Sequence, residues 1–190
     1  MSHEKRGCLG AVYRITADFL EKRGLRNEVM ARLSPGARKL VEKPPFPFSW
    51  HDAAALEEVE RVLHERSPQL AAELGYAAAD YLSNTLIAPV FKMAVTLFGK
   101  TPDALFGNLD RFYSMVVRGF SFRYEPRGQK QGTVFVQISG GRPHESLFQQ
   151  IRGNLKVMYN LAGTSGTIGE PSVLRSDDAG AEVSLPVAWG

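Results

Sequence analysis

Residues 117–139 read VRGFSFRYEPRGQKQGTVFVQIS, and this stretch decides the fold class because the hydrophobic period changes within it. Large apolar residues alternate with polar ones over residues 120–125, and they alternate again over residues 134–138. Such alternation predicts half-buried strands. The polar turn at residues 127–131 is short, and a short link joins strands in antiparallel order. The stretch therefore predicts a β-hairpin.

The segments after the hairpin predict one helix and two more strands. Apolar residues recur at helical spacing over residues 147–162, and Gly163 is suited to end that helix. A strand at about residues 166–175 is bent or lies at a sheet edge, because Pro171 interrupts it. Alternation returns at residues 183–189. The order β-β-α-β-β predicts a four-stranded antiparallel sheet.

The N-terminal two-thirds of the chain predicts helices. Three pairs of a capping residue and a proline mark helix starts, namely Ser34-Pro35, Ser67-Pro68 and Thr101-Pro102. Apolar stripes predict helices over about residues 9–23, 26–33, 35–42, 52–66, 68–88, 90–98 and 102–117. We therefore expect an α+β fold in a single domain, residues 1–190. Its helical part, about 9–117, packs on a sheet-containing part, about 118–190.

Three of these segments carry predictions about burial. The carboxylates of the helix at residues 52–66, including Glu57 and Glu60, are expected on its solvent face. Residues 90–98 are apolar nearly all round, so this helix is expected to be central and buried. Prolines keep the connector at residues 43–50 from being helical, and its aromatic side chains are expected to pack on the body.

Length and composition exclude several classes of protein. The chain has 190 residues, 44% hydrophobic and 23% charged, which is typical of a globular chain with its own core. Cys8 is the single cysteine, so no intramolecular disulfide can form, and we expect a cytoplasmic location. The longest apolar run has about 13 residues, too short for the ~20 that span a bilayer, and the N-terminus lacks the apolar core of a secretory signal.

Positive charge is concentrated in one segment. Residues 118–156 contain seven Lys and Arg residues but two acidic ones. This patch is modest and no recognition motif accompanies it, so the sequence gives no strong nucleic-acid signal. Gly140, Gly141 and Arg142 precede a predicted helix and are candidates to bind an anion through backbone N–H groups. A plain turn from strand to helix is the alternative.

Catalytic motifs are absent from the sequence. It contains no GxSxG, P-loop, GxGxxG, HExxH or CxxC, so we name no catalytic residue, expect no metal site and lean against an enzyme. Of the histidines, His64 is the candidate for an axial haem ligand. Cys8 follows Lys5 and Arg6, which is typical of a reactive thiol; a small buried hydrophobe is the alternative.

Aromatic residues crowd the predicted junction between helices and sheet. They either form a packed aromatic core or surround a partly open apolar pocket for a hydrophobic small molecule. The candidate pocket residues are Phe91, Phe98, Phe106, Phe112, Tyr113, Phe120 and Phe122.

Several short motifs carry a resemblance to known families. Leu74-Gly75, the stretch 95–102 (VTLFGKTP), Gly119 and the terminal Val187-Ala188-Trp189 resemble a bacterial domain family that is abundant in myxobacteria. The layout is similar to the superfamily of haem nitric-oxide sensors, 4-vinyl-reductase-type ligand-binding domains and TRAPP vesicle-tethering subunits. This resemblance implies an apolar cavity between a helical block and an antiparallel sheet.

The resemblance does not carry the cofactors of these families to this chain. The haem branch has a tyrosine, a serine and an arginine at alternate positions, and residues 113–118 (YSMVVR) do not keep this spacing. We therefore expect no haem. TRAPP-like members carry an acyl group on a cysteine, but Cys8 lies too near the N-terminus to take that role over, and whether it is modified stays open.

Three functions follow from these observations. The leading hypothesis is a non-enzymatic cytoplasmic sensor or adaptor domain that binds a ligand in an apolar pocket. The second is a protein-interaction or assembly subunit that forms a homodimer without a ligand. The third is a haem-binding sensor with His64 as ligand.

Overall fold

The computed structural model describes residues 5–85 and 88–190, apart from the side chains at positions 90, 91, 94 and 98. The helices are α1 (Gly10–Lys22), α2 (Arg26–Arg32), α3 (Pro35–Glu42), α4 (Ala54–Arg66), α5 (Pro68–Asn84), α6 (Ala88–Phe98), α7 (Pro102–Gly107), α8 (Leu109–Tyr113), α9 (Glu145–Leu155) and α10 (Val157–Ala162). The strands are β1 (Gly7–Leu9), β2 (Trp50–Asp52), β3 (Val117–Arg118), β4 (Phe120–Gly128), β5 (Gln131–Ser139), β6 (Gly166–Ile168), β7 (Ser172–Asp177) and β8 (Gly180–Trp189). This confirms the predicted α+β class.

The larger sheet is antiparallel and has the order β4-β5-β8-β6, with β7 also paired to β8. The strand predicted at residues 166–175 is divided at Pro171, which cannot donate a ladder hydrogen bond. Its first half pairs with the end of β8, where Ile168 faces Val187. The second half pairs with the beginning of β8. Two short strands thus fill the edge position of the predicted four-stranded sheet.

The register of the two central strands, β5 and β8, places a row of apolar side chains in the core. Val136 of β5 lies opposite Val183 of β8, and Val134 lies opposite Leu185; all four side chains are fully buried. This row belongs to one cluster of buried side chains that also includes residues of α1, α4, α5, α8 and α9. The sheet therefore forms one wall of the core, and the helices form the other.

A second, small sheet was not predicted. Its order is β2-β1-β3, and Cys8 of β1 lies between His51 and Val117 on its two neighbours. The Tyr13 hydroxyl of α1 donates to the Asp52 carbonyl at 2.7 Å, which holds α1 against β2. This sheet fixes the N-terminal residues beside α4.

Helices α5 and α9 cross in close contact through glycines. A Cβ atom on Gly153 would overlap the Ala72 carbonyl oxygen of α5, and one on Gly75 would overlap the Gln150 carbonyl oxygen of α9. The absence of side chains at both positions lets the two backbones touch. The crossing buries the polar residues Gln150 and Asn154 of α9.

The predicted helix boundaries hold where a cap determines them. The Ser34 hydroxyl accepts a hydrogen bond from the Ala37 N–H at 3.3 Å, and the Thr101 hydroxyl likewise caps α7. Gly163 ends α10 in the left-handed region with φ 71°. The helix predicted over residues 102–117 is instead broken at Asn108 into α7 and α8.

Two of the burial predictions are wrong. Helix α6 packs against α5 and α7 at the edge of the helical layer, and Met93 and Leu97 are exposed, Leu97 by 64%. An apolar sequence indicates that burial of a helix would be favourable, but it does not show whether another element of the fold covers that helix. In the connector, Phe46 and Phe48 are also exposed, and they contact each other. Trp50, by contrast, is half-buried.

Candidate functional site

Two neighbouring cavities lie where α4, α8 and α9 meet the small sheet. The first, here the apolar chamber, has a volume of about 60 Å³ and is also lined by Ala78, Leu82 and Met158. The second, the acid chamber, has a volume of about 30 Å³ and is also lined by Glu57 and Glu60. Six residues line both chambers, so the chambers adjoin: Cys8, Leu56, Tyr113, Val117, Gln150 and Asn154.

Glu60 is buried, contrary to the expectation from the sequence. It was expected on the solvent face of α4, but its exposed fraction is 0% and it lines the acid chamber. Glu60 lies four residues after Leu56 and three before Leu63, so it belongs to the same helix face as these buried leucines. This position within the apolar stripe is the signal that could have identified it.

The Glu60 carboxyl group is buried without a hydrogen bond. Neither of its oxygens has a partner within residues 5–85 and 88–190. Burial raises the pKa of Glu60 well above its ordinary value of 4.5, and the nearby negative charge of Glu57 raises it further. The positive charge of Arg6 opposes this shift. The neutral acid is therefore the favoured form in the empty chamber.

Arg6 donates its hydrogen bonds to groups other than Glu60. Its Nε and Nη2 atoms donate to the two carboxylate oxygens of Glu57 at 2.5 and 3.0 Å. Its Nη1 atom donates to the carbonyls of Ser139 and Gly141 at 2.8 and 2.9 Å. This bidentate pair links the wall of the acid chamber to the loop between β5 and α9. Four of the five Arg6 N–H groups are therefore used by partners other than Glu60.

Two more polar atoms in the shared wall lack partners. The Tyr113 hydroxyl and the Asn154 Oδ1 atom are buried, and neither is hydrogen-bonded to any residue that the structure describes. Burial raises the pKa of Tyr113, so the phenol is neutral. The Asn154 Nδ2 atom donates to Gln150 Oε1 at 3.3 Å, which leaves the amide oxygen as a free acceptor. The wall therefore presents unpartnered oxygens to the cavity.

Cys8 behaves as a buried hydrophobe. Its side chain is 1% exposed and lines both chambers. Burial raises its pKa to about 12, and the negative charge that Glu60 carries once it is ionised adds to the shift. The thiolate is the nucleophilic form, so the neutral thiol is unreactive. Of the two interpretations from the sequence, the small buried hydrophobe agrees with the structure.

The predicted pocket residues are distributed over several places. Phe112 and Tyr113 line the apolar chamber, and Tyr113, Phe120 and Phe122 line the acid chamber. The side chains of Phe91 and Phe98 lie outside the described residues. Phe106 lies elsewhere, in an aromatic cluster with Tyr124, Tyr159 and Trp189.

The candidate anion site and the histidines lie apart from the chambers. The carbonyl of Gly141 accepts from Arg6, and Arg142 lies 3.7 Å from Asp178, so anion binding at Gly140, Gly141 and Arg142 stays a prediction. The rings of His64 and His144 contact each other with centroids 5.5 Å apart, and neither residue lines either chamber. Over the described ranges, no group of three or more His, Cys, Asp or Glu residues could hold a metal ion.

The chain shares its fold with H-NOX proteins. The Fe(II) unliganded H-NOX protein from K. algicida superposes with a TM-score of 0.69 at 9% identity, over 96% of each chain. An oxygen-binding H-NOX domain related to soluble guanylate cyclases superposes with a TM-score of 0.61 at 9% identity, over 92% of this chain and 91% of that one. A structure from work on haem distortion in the H-NOX family superposes with a TM-score of 0.66 at 9% identity, over 95% of this chain and 94% of that one.

These structural similarities confirm the α+β fold that was expected from the resemblance to haem nitric-oxide sensors. No protein-family model matches the chain, and no curated protein matches it. Membership in the myxobacterial family therefore stays a prediction. None of the helices in the described ranges is long and apolar enough to cross a membrane.

The residues around the chambers do not fit haem. Haem needs an axial ligand, and among the described residues no imidazole lines either chamber. The Cys8 thiol stays protonated, since its pKa is raised to about 12. The two carboxylates of haem need cations or several hydrogen-bond donors, whereas the acid chamber is lined by the carboxyl groups of Glu57 and Glu60. Chambers of about 60 and 30 Å³ are also far smaller than a porphyrin.

Proposed function

We propose that the chain is a non-enzymatic, haem-independent sensor domain that binds a small molecule in the two chambers. The observation that carries this proposal is the unpartnered Glu60 carboxyl group in a cavity with largely apolar walls. A buried polar group without a partner costs about 1–3 kcal/mol, and a bound ligand would remove this cost. Ligand sites typically combine apolar walls with a few convergent polar groups.

The fold and the cysteine support further parts of this proposal. The neighbours include an oxygen-binding H-NOX domain, so the same framework encloses a small-molecule site in at least one other protein. The proposal of a single domain over residues 1–190 is supported by one buried cluster, which contains side chains from both the helices and the sheet. Its single buried cysteine is typical of a cytoplasmic protein.

Native mass spectrometry of freshly purified protein tests the proposal, with an ultraviolet–visible spectrum of the same sample. We expect a mass excess that is lost in Ala78→Leu, because this substitution fills the apolar chamber. The control Ala31→Leu makes the same change on an exposed face of α2 and keeps the excess. The proposal fails if the wild-type mass is that of the bare chain and no small probe, neutral or cationic, stabilises the protein. A haem absorption band would contradict the haem-independent part.

The exposed apolar face of α6 favours a second function, assembly as a homodimer. Met93 and Leu97 present large apolar side chains to solvent, and such faces commonly mark interfaces between proteins. Light scattering over a range of concentrations tests it, with Leu97→Glu as the disrupting variant. A monomer at all concentrations would exclude the homodimer.

A further inference from the structure

The unpartnered atoms around the acid chamber are mainly hydrogen-bond acceptors. When Glu60 is ionised, its two carboxylate oxygens and the Asn154 Oδ1 atom can only accept. The Tyr113 hydroxyl is the one unpartnered group that can donate, within the part of the chain that the structure describes. A ligand that satisfies this set with Glu60 ionised must therefore supply several N–H or O–H donors.

Charge narrows the class of ligand further. Glu57 is already paired with a cation, since Arg6 binds it in a bidentate pair and donates both Nη1 hydrogens to two carbonyls. A ligand carboxylate or phosphate would add a negative charge beside Glu57 and Glu60. A hydrocarbon would leave the acceptors unsatisfied. A ligand cation would satisfy both the charge and the hydrogen bonds.

The apolar chamber indicates what is attached to the cation. Its walls include Ala78, Leu82 and Met158, and it shares the Tyr113 and Asn154 side of the acid chamber. A polar head in the acid chamber thus lies next to apolar space. The volumes of about 30 and 60 Å³ limit the ligand to a compact head and a short tail.

We propose that the two chambers bind a small primary ammonium compound, with its charged head against Glu60 and its short apolar tail beside Ala78, Leu82 and Met158. This inference rests on the proposed function, because it names the ligand class of the same site. An ammonium group has three N–H donors, which match Glu60 and the Asn154 oxygen. Methyl groups in place of these hydrogens would remove the match.

Binding has a proton balance that can be measured. The empty chamber favours the neutral Glu60 acid, and the bound ammonium ion favours the carboxylate. One proton therefore leaves Glu60 for solvent when the ion binds, and no covalent bond to the ligand forms. Among the described residues, the other titratable groups that line the acid chamber are Glu57, Cys8 and Tyr113, with Arg6 paired to Glu57. The thiol and the phenol stay neutral, and Glu57 stays paired.

Isothermal titration calorimetry of the full chain tests this inference with n-butylammonium and its neutral isostere 1-butanol. We expect the wild-type protein to bind the ammonium ion at least ten-fold more tightly than the alcohol. Titrations between pH 5 and pH 8 in buffers of different ionisation enthalpy should show the release of a proton at the pH values where the free protein holds Glu60 protonated. Glu60→Gln should lose both the preference and the proton release. The control Glu42→Gln, at an exposed position of α3, should keep both.

The outcomes separate this inference from the proposed function. Equal binding of both probes to the wild-type protein and to Glu60→Gln would overturn the ammonium ligand and leave a neutral-ligand sensor. Binding of neither probe to the folded wild-type protein would overturn both. If Glu60→Gln does not fold, Glu60→Asp replaces it. We then expect Glu60→Asp to retain the ammonium preference, and its loss would overturn the inference.

Discussion

The pH dependence of stability tests the buried state of Glu60 directly. Between its ordinary value of 4.5 and its raised pKa, the folded protein holds a proton that the unfolded chain has released. The folded state therefore binds more protons, and the free energy of unfolding falls as the pH rises. The contribution of Glu60 is complete below pH 4.5 and is lost as the pH rises to the raised pKa, above which it stays constant.

The size of this effect follows from proton linkage. Each pH unit within the window removes about 1.4 kcal/mol of the Glu60 contribution. For a chain of this length, about 1 kcal/mol shifts the melting temperature by about 2–4 °C, so we expect a decrease of about 3–6 °C per pH unit. Glu60→Gln has nearly the same shape and no titrating proton, so its melting temperature should lack this decrease.

Thermal and urea unfolding between pH 5 and pH 8 measure the effect. The quantity to compare is the difference in unfolding free energy between wild type and Glu60→Gln at each pH. This difference cancels the other titrating groups, provided that they are unperturbed by the substitution. Glu42→Gln should follow the wild-type curve, because Glu42 is exposed. Parallel curves for wild type and Glu60→Gln would show that Glu60 titrates alike in the folded and unfolded states, which refutes its burial as a neutral acid.

Three further predictions concern the surrounding structure. Gly153→Ala should lower the free energy of unfolding by about 1–3 kcal/mol or more in chemical denaturation, because its Cβ overlaps the α5 backbone. The control Gly36→Ala has open space around its Cβ and should change this free energy by well under that amount. Cys8 should react with a thiol reagent in the native protein about 1,000-fold more slowly than in urea, because its pKa is raised from 9.0 to about 12; equal rates would contradict its burial. Arg6→Ala should lower the free energy of unfolding by about 3 kcal/mol and the melting temperature by about 6–12 °C, because it breaks the part-buried pair with Glu57. Arg142→Ala removes an exposed contact and should be nearly neutral. Similar melting temperatures for the two variants would refute a stabilising role of the Arg6–Glu57 pair.

Much of the fold could be predicted because its signals are local. Alternation over residues 120–125 and 134–138 predicts strands that the register confirms, and Pro171 marks the break in the edge strand. The small sheet could not be found in this way. Its strands have two or three residues and join positions as distant as Gly7 and Arg118. A run of two or three residues is too short to show a period of two.

The site was less predictable than the fold, for a different reason. Periodicity indicates which face of a helix is apolar, but the width of the buried face depends on how many neighbours cover it. Glu60 is buried because α4 is covered by α9 and bordered by the small sheet, whereas Leu97 is exposed because α6 lies at the edge of the helical layer. Both errors come from assigning burial by residue type before the neighbours are known.

The position of the unpartnered groups links the fold to the proposed ligand. Gly75 and Gly153 bring α5 and α9 so close that Asn154 is held at the cavity wall. Arg6 pairs with Glu57, and no cation of residues 5–85 or 88–190 is hydrogen-bonded to Glu60. Three buried groups without partners, at about 1–3 kcal/mol each, are a large fraction of the 5–15 kcal/mol that stabilises a typical domain. A ligand that donates to them recovers much of this cost on binding. The ligand-free state is then the less stable one, and the difference between the two states is available to a sensor as its signal.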